Sequence, residues 1–584
     1  MNEVWNLDPL YKGFDDPAFE ADLAALKSAC EEYTAFAADL GSGDVAQTLK
    51  KCLKWREDIS ALSQKLGGYA NLRQSTNTKD PACASQMGRI MGISSRLAGP
   101  NAAVQAWIAS IDNLQEVCAE DEMLSDYAYM LNLNQVDSTY LLPGRGEEIS
   151  ARLGLSGGDA WSDLQQYLTS TVPVSYRGNI TNLSSIRNLA YDADPQVRKD
   201  AYEAELACYE RIRDSVAFAL NSIKLETITE CQLRGFESPL GRTLHYARMK
   251  QETLDAMLGA MDEYLPKFWQ YLKTKAKVLG HENGLPWYDL FAPMGKEGKA
   301  FTTQEARDYL VKLFGTFDEE LAQMVARAFD EAWIDFYPRD GKAGGAFCAG
   351  VPSIGQSRIL TNFDGMFTDV VTLAHELGHA FHNQCIAPHR PLNKRYSMPV
   401  AETASTFNEC VVMAAAIAES QDKAEKLALI ESQLQDATQI ICDIYSRFRF
   451  ESMVFANREE KFMDAPTLCQ FMLEAQKQSY GDGLDHNCLH PYMWVCKSHY
   501  YGPTFYNFPY AFGGLFARGL YAQYERDGAN FVPKYKKLLH TTSVASVEDT
   551  AASAGIDLTD KNFWRSALQT IADQIDLFCQ LVEE

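Results

Sequence analysis

The sequence predicts a mainly α-helical protein of two or more lobes, with a small β segment set directly before one histidine-bearing helix. Three observations lead there. The chain has 584 residues, more than one compact core accommodates. Apolar residues recur at helical spacing through most of it, as at Leu23, Leu26, Cys30 and Tyr33. Strand-like runs are confined to residues 171–183 and 344–362.

Taken in order, residues 17–110 read as long amphipathic helices whose apolar stripes are core. Gly41-Ser-Gly-Asp44 is a turn, and Asp44 caps the next helix. Helical character runs to about residue 155, where Gly157-Gly-Asp-Ala breaks it. Thr171–Tyr176, Arg-Gly and Asn179–Leu183 then form a small hairpin. The expected division is a helical region over 1–111, a small module over 112–183 and a large region over 184–584 that carries the histidine-bearing helix. One or two helices span Ser185–Arg234, with a boundary at Asp194-Pro195. Others follow near 250–280, 303–315 and 319–336, and no internal repeat is visible. Gly344–Cys348 and Arg358–Asn362 are the short strands before the histidine-bearing helix. Glycine lets another backbone approach a strand closely. Gly344, Gly345 and Ala346 are therefore candidate contacts for an extended substrate pairing with this edge.

Composition excludes several functions. Hydrophobic content of 46% and charged content of 23% are ordinary for a globular protein. A formal charge of -24 argues against nucleic acid. Residues 1–8 carry no basic region or apolar core, so no signal peptide is expected. The longest small-residue apolar stretch, Val411–Ala418, is too short for a membrane span. The 14 cysteines are scattered without a CxxC pair and read as reduced thiols, which predicts a cytoplasmic location. No GK[ST] loop or GxGxxG motif points to nucleotide use.

The informative stretch is Val371–His382, which contains His375-Glu376-x-x-His379. On a helix, residues i and i+4 share a face, so both imidazoles can reach one metal ion. Glu376 points beside that ion, where a general base for a metal-bound water belongs. Val370, Leu373, Leu377 and Phe381 turn the other faces into a core. His382 lies seven residues after His375 and supports the site rather than ligating, since His375 and His379 already fill two positions. A third ligand is needed. Met398–Glu409 reads as the next helix, with Glu402 and Glu409 on one face among small and apolar residues. Carboxylates in such a place must be paired or metal-bound. Glu402 is the expected ligand, and Glu409 the partner that orients a ligand histidine.

His375–His382 followed by Ala401–Glu409 resembles the thimet-type metallopeptidases, in particular the oligoendopeptidase F branch. The likeness extends to Trp5–Tyr11, Gly344–Cys348, Ser357–Asn362, His499–Tyr501 and Phe505–Tyr510, so it covers essentially the whole chain. The resemblance implies a two-lobed helical zincin around a deep substrate channel. It also implies one Zn2+ per chain and endopeptidase action on short peptides.

The segment His490–Tyr510 is dense in aromatic residues. Peptide hydrolysis builds negative charge on the carbonyl oxygen, and histidine and tyrosine can both donate to it. Gly502-Pro503 and Pro509 suggest an ordered loop. Relatives carry a histidine followed by spaced tyrosines that contact substrate and transition state. The resemblance assigns that role to His499, Tyr506 and Tyr510, with Tyr501 as a substrate contact; Phe508 stands where some relatives have tyrosine. The expected function is zinc-dependent hydrolysis of short oligopeptides. The alternatives are an exopeptidase on the same scaffold, marked by a cation for the terminal carboxylate, or a peptide-binding protein without catalysis. An intact Glu376 speaks against the latter.

Overall fold

The computed structural model describes residues 2–41, 43–295 and 300–584. The predicted helical protein is what it shows, and Ser42 of the expected turn lies outside the described residues. Pro17–Ala37, Val45–Thr76, Pro81–Ser94 and Ala98–Ala109 are the N-terminal helices. Asp44 caps the second of them by accepting the Gln47 N–H at 2.9 Å.

The hairpin forms from β1 (Val174–Tyr176) and β2 (Asn179–Thr181), paired antiparallel. Its turn residues Arg177 and Gly178 both have positive φ, 47° and 83°, which matches the right-handed twist of the strands. Gly157-Gly158 separates two helices rather than ending helical structure, because Gly158–Thr171 is itself a helix. The 185–234 stretch holds three helices, Leu183–Asn188, Pro195–Tyr209 and Arg213–Arg234. Asp194 caps the middle one, with Pro195 in its first turn. The helix expected over 319–336 ends at Asp330, since the chain must extend for β3 (Ile334–Asp335).

β3, β4 (Phe347–Val351) and β5 (Gln356–Leu360) form a three-stranded sheet in the order β3-β5-β4. β3 runs parallel and β4 antiparallel to β5, so β4 lies at an edge. The chain start hooks onto this sheet: Asn6 N–H donates to the Ala332 carbonyl at 2.8 Å, and Phe336 N–H to the Glu3 carbonyl at 3.0 Å.

Three apolar cores hold the molecule. The first joins residues 5–131 to Val351 and Leu360 of the sheet. The second joins Val172–Ile223 to residues 450–501. The third and largest runs from Leu244 to Phe578 and contains the apolar faces of the histidine-bearing helix. Residues 112–183 divide between two of these: Leu114–Leu131 pack with the N-terminal helices, and Val172 onward with Pro195–Tyr209 and Arg213–Arg234.

Candidate metal centre and the groups around it

Phe367–Ile386 is the histidine-bearing helix. The Asp369 carboxylate closes its start, accepting the N–H groups of Asp364 and Met366 at 2.9 Å each. Val370, Leu373, Leu377 and Phe381 are buried as the spacing predicts. It packs on Thr403–Glu419, and Asn408 Nδ2 crosses between them to the Ala374 carbonyl at 3.1 Å. The 398–409 segment is not one helix: Met398–Val400 is a short 3₁₀ turn, and Glu402 sits just before the first residue of Thr403–Glu419. From there its carboxylate reaches sideways to the histidines.

His375, His379 and Glu402 each bring one ligand atom within 4.8 Å of the other two. Glu402 Oε2 lies 3.3 Å from His375 Nε2 and 3.4 Å from His379 Nε2. Ligand bonds of about 2.0–2.1 Å at tetrahedral angles would put neighbouring donors about 3.3 Å apart, so the three fit a single cation. Ser405 Oγ donates to Glu402 Oε2 at 2.7 Å and fixes its rotamer. Burial depresses the His375 pKa, but bonds to Glu402 and Glu409 outweigh it and raise it to about 10. Burial likewise raises Glu402, and the two histidines overcome it to hold the carboxyl well below its usual range. The carboxylates thus favour positive charge at this point. Glu409 Oε1 accepts from His375 Nδ1–H at 2.5 Å, which turns Nε2 towards the point shared with His379 and Glu402.

Glu376 is buried, and its Oε2 has no hydrogen-bond partner. Burial raises its pKa, with the neighbouring histidines opposing. An unpartnered carboxylate oxygen in the field of His375, His379 and Glu402 is a group fit to accept a proton.

His382 is not a ligand. It is fully buried, bonds Thr542 Oγ1 through Nε2 at 2.8 Å and stacks on Tyr396 with centroids 4.2 Å apart. Tyr396 has no sequence signal, since it lies in a loop. It sits beside Cys348 and Glu402, and burial followed by those two groups pushes its hydroxyl pKa up. Gly344, Gly345 and Ala346 lie ahead of β4 rather than in it. Asn362 Nδ2 ties that segment down through the Gly345 carbonyl at 2.8 Å. Within β4, Cys348 is the residue beside Glu376: burial, then that carboxylate, pushes its thiol up.

From the C-terminal part of the chain the structure gathers His499, Tyr506 and Tyr510. Their ring centroids lie 5.8 Å (His499–Tyr506), 6.0 Å (His499–Tyr510) and 5.7 Å (Tyr506–Tyr510) apart. Tyr510 also lines a cavity of about 1040 Å³ with His375, Glu402 and Glu409. His499 Nδ1 is buried without a partner, and burial lowers its pKa. Burial and the adjacent Tyr506 push the Tyr510 hydroxyl up to about 12. Pro509 does not belong to a loop: it begins the helix Phe508–Asp527, whose first turn carries Tyr510. Tyr501 is not brought to this group, because it is buried and its hydroxyl donates to the Trp494 carbonyl at 2.8 Å.

The loop bearing Tyr506 is held in a costly shape. Phe505 has φ of 50°, uncommon for a bulky residue. Its N–H donates to Glu451 Oε1 at 3.2 Å, and that buried carboxylate is paired with buried Lys224 at 2.6 Å. Arg447 reaches Asn507 Oδ1 at 3.3 Å from the same helix, Ile444–Arg458. Sequence reasoning passed over Lys224 and Glu451, which are far apart in the chain and carry no motif.

Two imidazoles and a carboxylate set for one cation, with an unpaired carboxylate and hydrogen-bond donors in the same region, define a helical protein with a candidate metal site. The family model for peptidase family M3 matches residues 188–570, and the chain belongs to that family, on its oligoendopeptidase F branch. The oligopeptidase PepF of Bacillus subtilis is 24% identical over 98% of this chain and 86% of its own. An oligoendopeptidase F homolog of Lactococcus lactis is 22% identical over 100% of this chain and 97% of its own. A crystal structure of a putative peptidase from Chlamydophila abortus shares the fold with a TM-score of 0.88 at 20% identity, over 99% of this chain and 98% of that one. Oligoendopeptidase-F from Enterococcus faecium does so with a TM-score of 0.72 at 17% identity, over 97% and 99%. The chain is therefore a peptidase. Among the described residues, no helix is long and apolar enough to cross a membrane.

Proposed function

We propose that this protein is a zinc-dependent endopeptidase acting on short, unstructured peptides in the cytoplasm. One observation carries the reading: His375 Nε2, His379 Nε2 and Glu402 Oε2 converge within 4.8 Å, beside the unpartnered Glu376 Oε2. Zinc held by these three residues would supply Lewis acidity to the scissile carbonyl and to a water. Glu376 takes the proton of the attacking water and passes it to the departing amine. Burial raises its pKa and so improves it for both tasks. Glu409 holds His375 in the tautomer that presents Nε2. His499, with Tyr506 or Tyr510, donates hydrogen bonds to the oxygen on which charge accumulates. The cavity of about 1040 Å³ suits an extended peptide rather than a folded protein. Free cysteines, all 14 without a disulfide, are in keeping with a reducing compartment.

The test is kinetic, on an internally quenched peptide whose cut is mapped by mass spectrometry. Tyr506→Phe keeps the ring and removes one donor. It should lower kcat by about 2–4 kcal/mol of barrier with little change in KM. An unchanged kcat moves the donor to Tyr510. Failure of the wild-type protein, loaded with zinc, to cut any short peptide would overturn the reading.

A further inference from the structure

A second cavity, of about 290 Å³, lies beside the first, and Gln439 lines both. Gln439 opens a π-helical turn, Gln439–Asp443, a widening that often marks functional positions. The charge lining this small cavity is unbalanced. Arg198 and Asp289 pair at 2.8 Å, both buried, and cancel. Arg187 and Lys497 do not cancel. The carboxylate within 4 Å of Arg187 is Glu205, at 3.7 Å, and it already accepts the Tyr209 hydroxyl at 2.8 Å and faces His490 at 3.3 Å. The carboxylate within 4 Å of Lys497 is Asp443, at 4.0 Å, and Asp443 is bonded to Arg447. Three cations, Arg187, Lys497 and Arg447, thus share two carboxylates.

Neither Arg187 nor Lys497 is free in bulk water, with side chains 32% and 21% exposed. Burial pushes the Lys497 ammonium pKa down; Asp443 opposes this, while Arg447 and Arg187 add to it. Lys497 is thus a partly desolvated cation whose nearest carboxylate is 4.0 Å away and already bonded, the state an anionic ligand relieves. Arg187, whose charge Cys496 and Glu205 stabilise, adds a second donor to the same cavity. Lys497 stands two residues before His499 in the chain, and Gln439 joins the small cavity to the one that His375, Glu402 and Tyr510 line.

We infer that the cavity lined by Arg187 and Lys497 binds a carboxylate of the peptide substrate, with the C-terminal carboxylate as its natural occupant. The inference rests on the proposed peptidase reading of the metal site and deepens it: the site anchors one end of a short peptide, and the mapped cut decides whether the bond cleaved is internal or lies next to that end. In a long polypeptide most bonds lie far from the one C-terminal carboxylate, so anchoring it there would confine cleavage to bonds near that end. An aspartate or glutamate side chain offers the same chemistry, and the test separates the two sources.

Equilibrium binding, read by fluorescence anisotropy of an N-terminally labelled peptide, avoids any need for turnover. The protein is the full chain carrying Glu376→Gln and its metal. Three peptides are compared: one with a free C-terminus, its C-terminal amide, and the amide with aspartate as last residue. The free acid should bind at least about tenfold tighter than the plain amide. That ratio should fall towards one in Lys497→Gln and in Arg187→Gln. Recovery of affinity by the aspartyl amide would assign the site to side-chain carboxylates as well. Equal affinity of acid and amide, or no binding of either, overturns the inference, as does an acid preference that survives both substitutions. The comparison of acid with amide needs no mutant at the site, so a misfolded variant does not rescue the idea. Loss of hydrolysis in the wild type with the acid preference intact would instead refute the endopeptidase reading alone.

Discussion

Gly378 lies so close to Ala404 that a Cβ built on it would stand 2.5 Å from the Ala404 carbonyl oxygen and 2.6 Å from Ser405 Cα. The obstacle is backbone, which cannot swing aside. Gly378 is flanked by Leu377 and the proposed ligand His379, and Ala404 lies two residues after the proposed ligand Glu402. The spacing of the two helices, and with it the reach of Glu402 to both histidines, depends on this missing side chain. Gly378→Ala should therefore cost about 1–3 kcal/mol of stability and weaken metal binding as the helices part. Thermal melting with and without added zinc, beside metal analysis, checks both effects. Full metal retention at wild-type stability would show that the helices tolerate the separation.

Glu409 bonds His375 at Nδ1, the nitrogen turned away from Glu402. Glu409→Ala should lower metal affinity by about 10–100-fold, the range for loss of such an outer partner. Glu402→Ala should lower it much further, since a ligand is gone. Competition against a zinc chelator measures both. If the two losses are equal, Glu402 is not distinguished as a ligand.

Glu376→Gln should keep the metal and lose several orders of magnitude in kcat, because the amide cannot accept the proton. Metal content and single-turnover rates on the same preparation test this. A variant that loses metal in proportion to activity would make Glu376 a structural support.

Lys224 and Glu451 are buried together, and Glu451 also receives the Phe505 N–H. Lys224→Met leaves a buried carboxylate without its cation and should destabilise the protein by about 3–5 kcal/mol. It should also release the Tyr506 loop, so kcat falls even well below the melting temperature. Replacement of both, Lys224→Met with Glu451→Leu, should restore stability more than activity. Urea unfolding and kinetics on the three proteins decide it, and equal recovery of both would remove the loop from the account.

Glu205 supplies a pH dependence. Burial opposes ionisation, but His490, Arg187 and Tyr209 win and hold its carboxyl down at about 2, against 4.5 for the free group. The folded state therefore binds its proton more weakly than the unfolded chain does. Stability from this group is complete above about pH 4.5 and drains away as the pH falls towards 2. Urea melts between pH 5 and 3 should show a shallower acid loss for Glu205→Gln than for wild type. Parallel curves would place the acid sensitivity elsewhere.

The histidine-bearing helix was legible because its information is local. His375 and His379 share a face through the helical repeat, and Val370, Leu373, Leu377 and Phe381 bury the others. Asp44 and Asp194 as caps, and Arg177-Gly178 as a turn, were readable for the same reason: each acts on a neighbour two to four residues away. The C-terminal aromatic run was visible as composition, but which rings face the metal was not. Tyr501 and Tyr510 are both tyrosines near His499 in sequence, yet one turns its hydroxyl to Trp494 and the other opens into the main cavity. Backbone direction settles that, through the Phe505 kink and a helix starting at Phe508.

By itself, the sequence determined the helical class, and it singled out the two histidines, the proposed general base and the acidic pair from which the proposed third ligand comes. These follow from periodicity and from the cost of burying an unpaired carboxylate. Tertiary structure decided what depends on distance through space. It brought Glu402 within 3.4 Å of both histidines from outside its helix, pressed Gly378 against Ala404, and joined Lys224 to Glu451 across 227 residues. It also set Arg187 and Lys497 around one small cavity. Such pairs leave no pattern along the chain, because burial and charge compensation act between surfaces that only folding brings together.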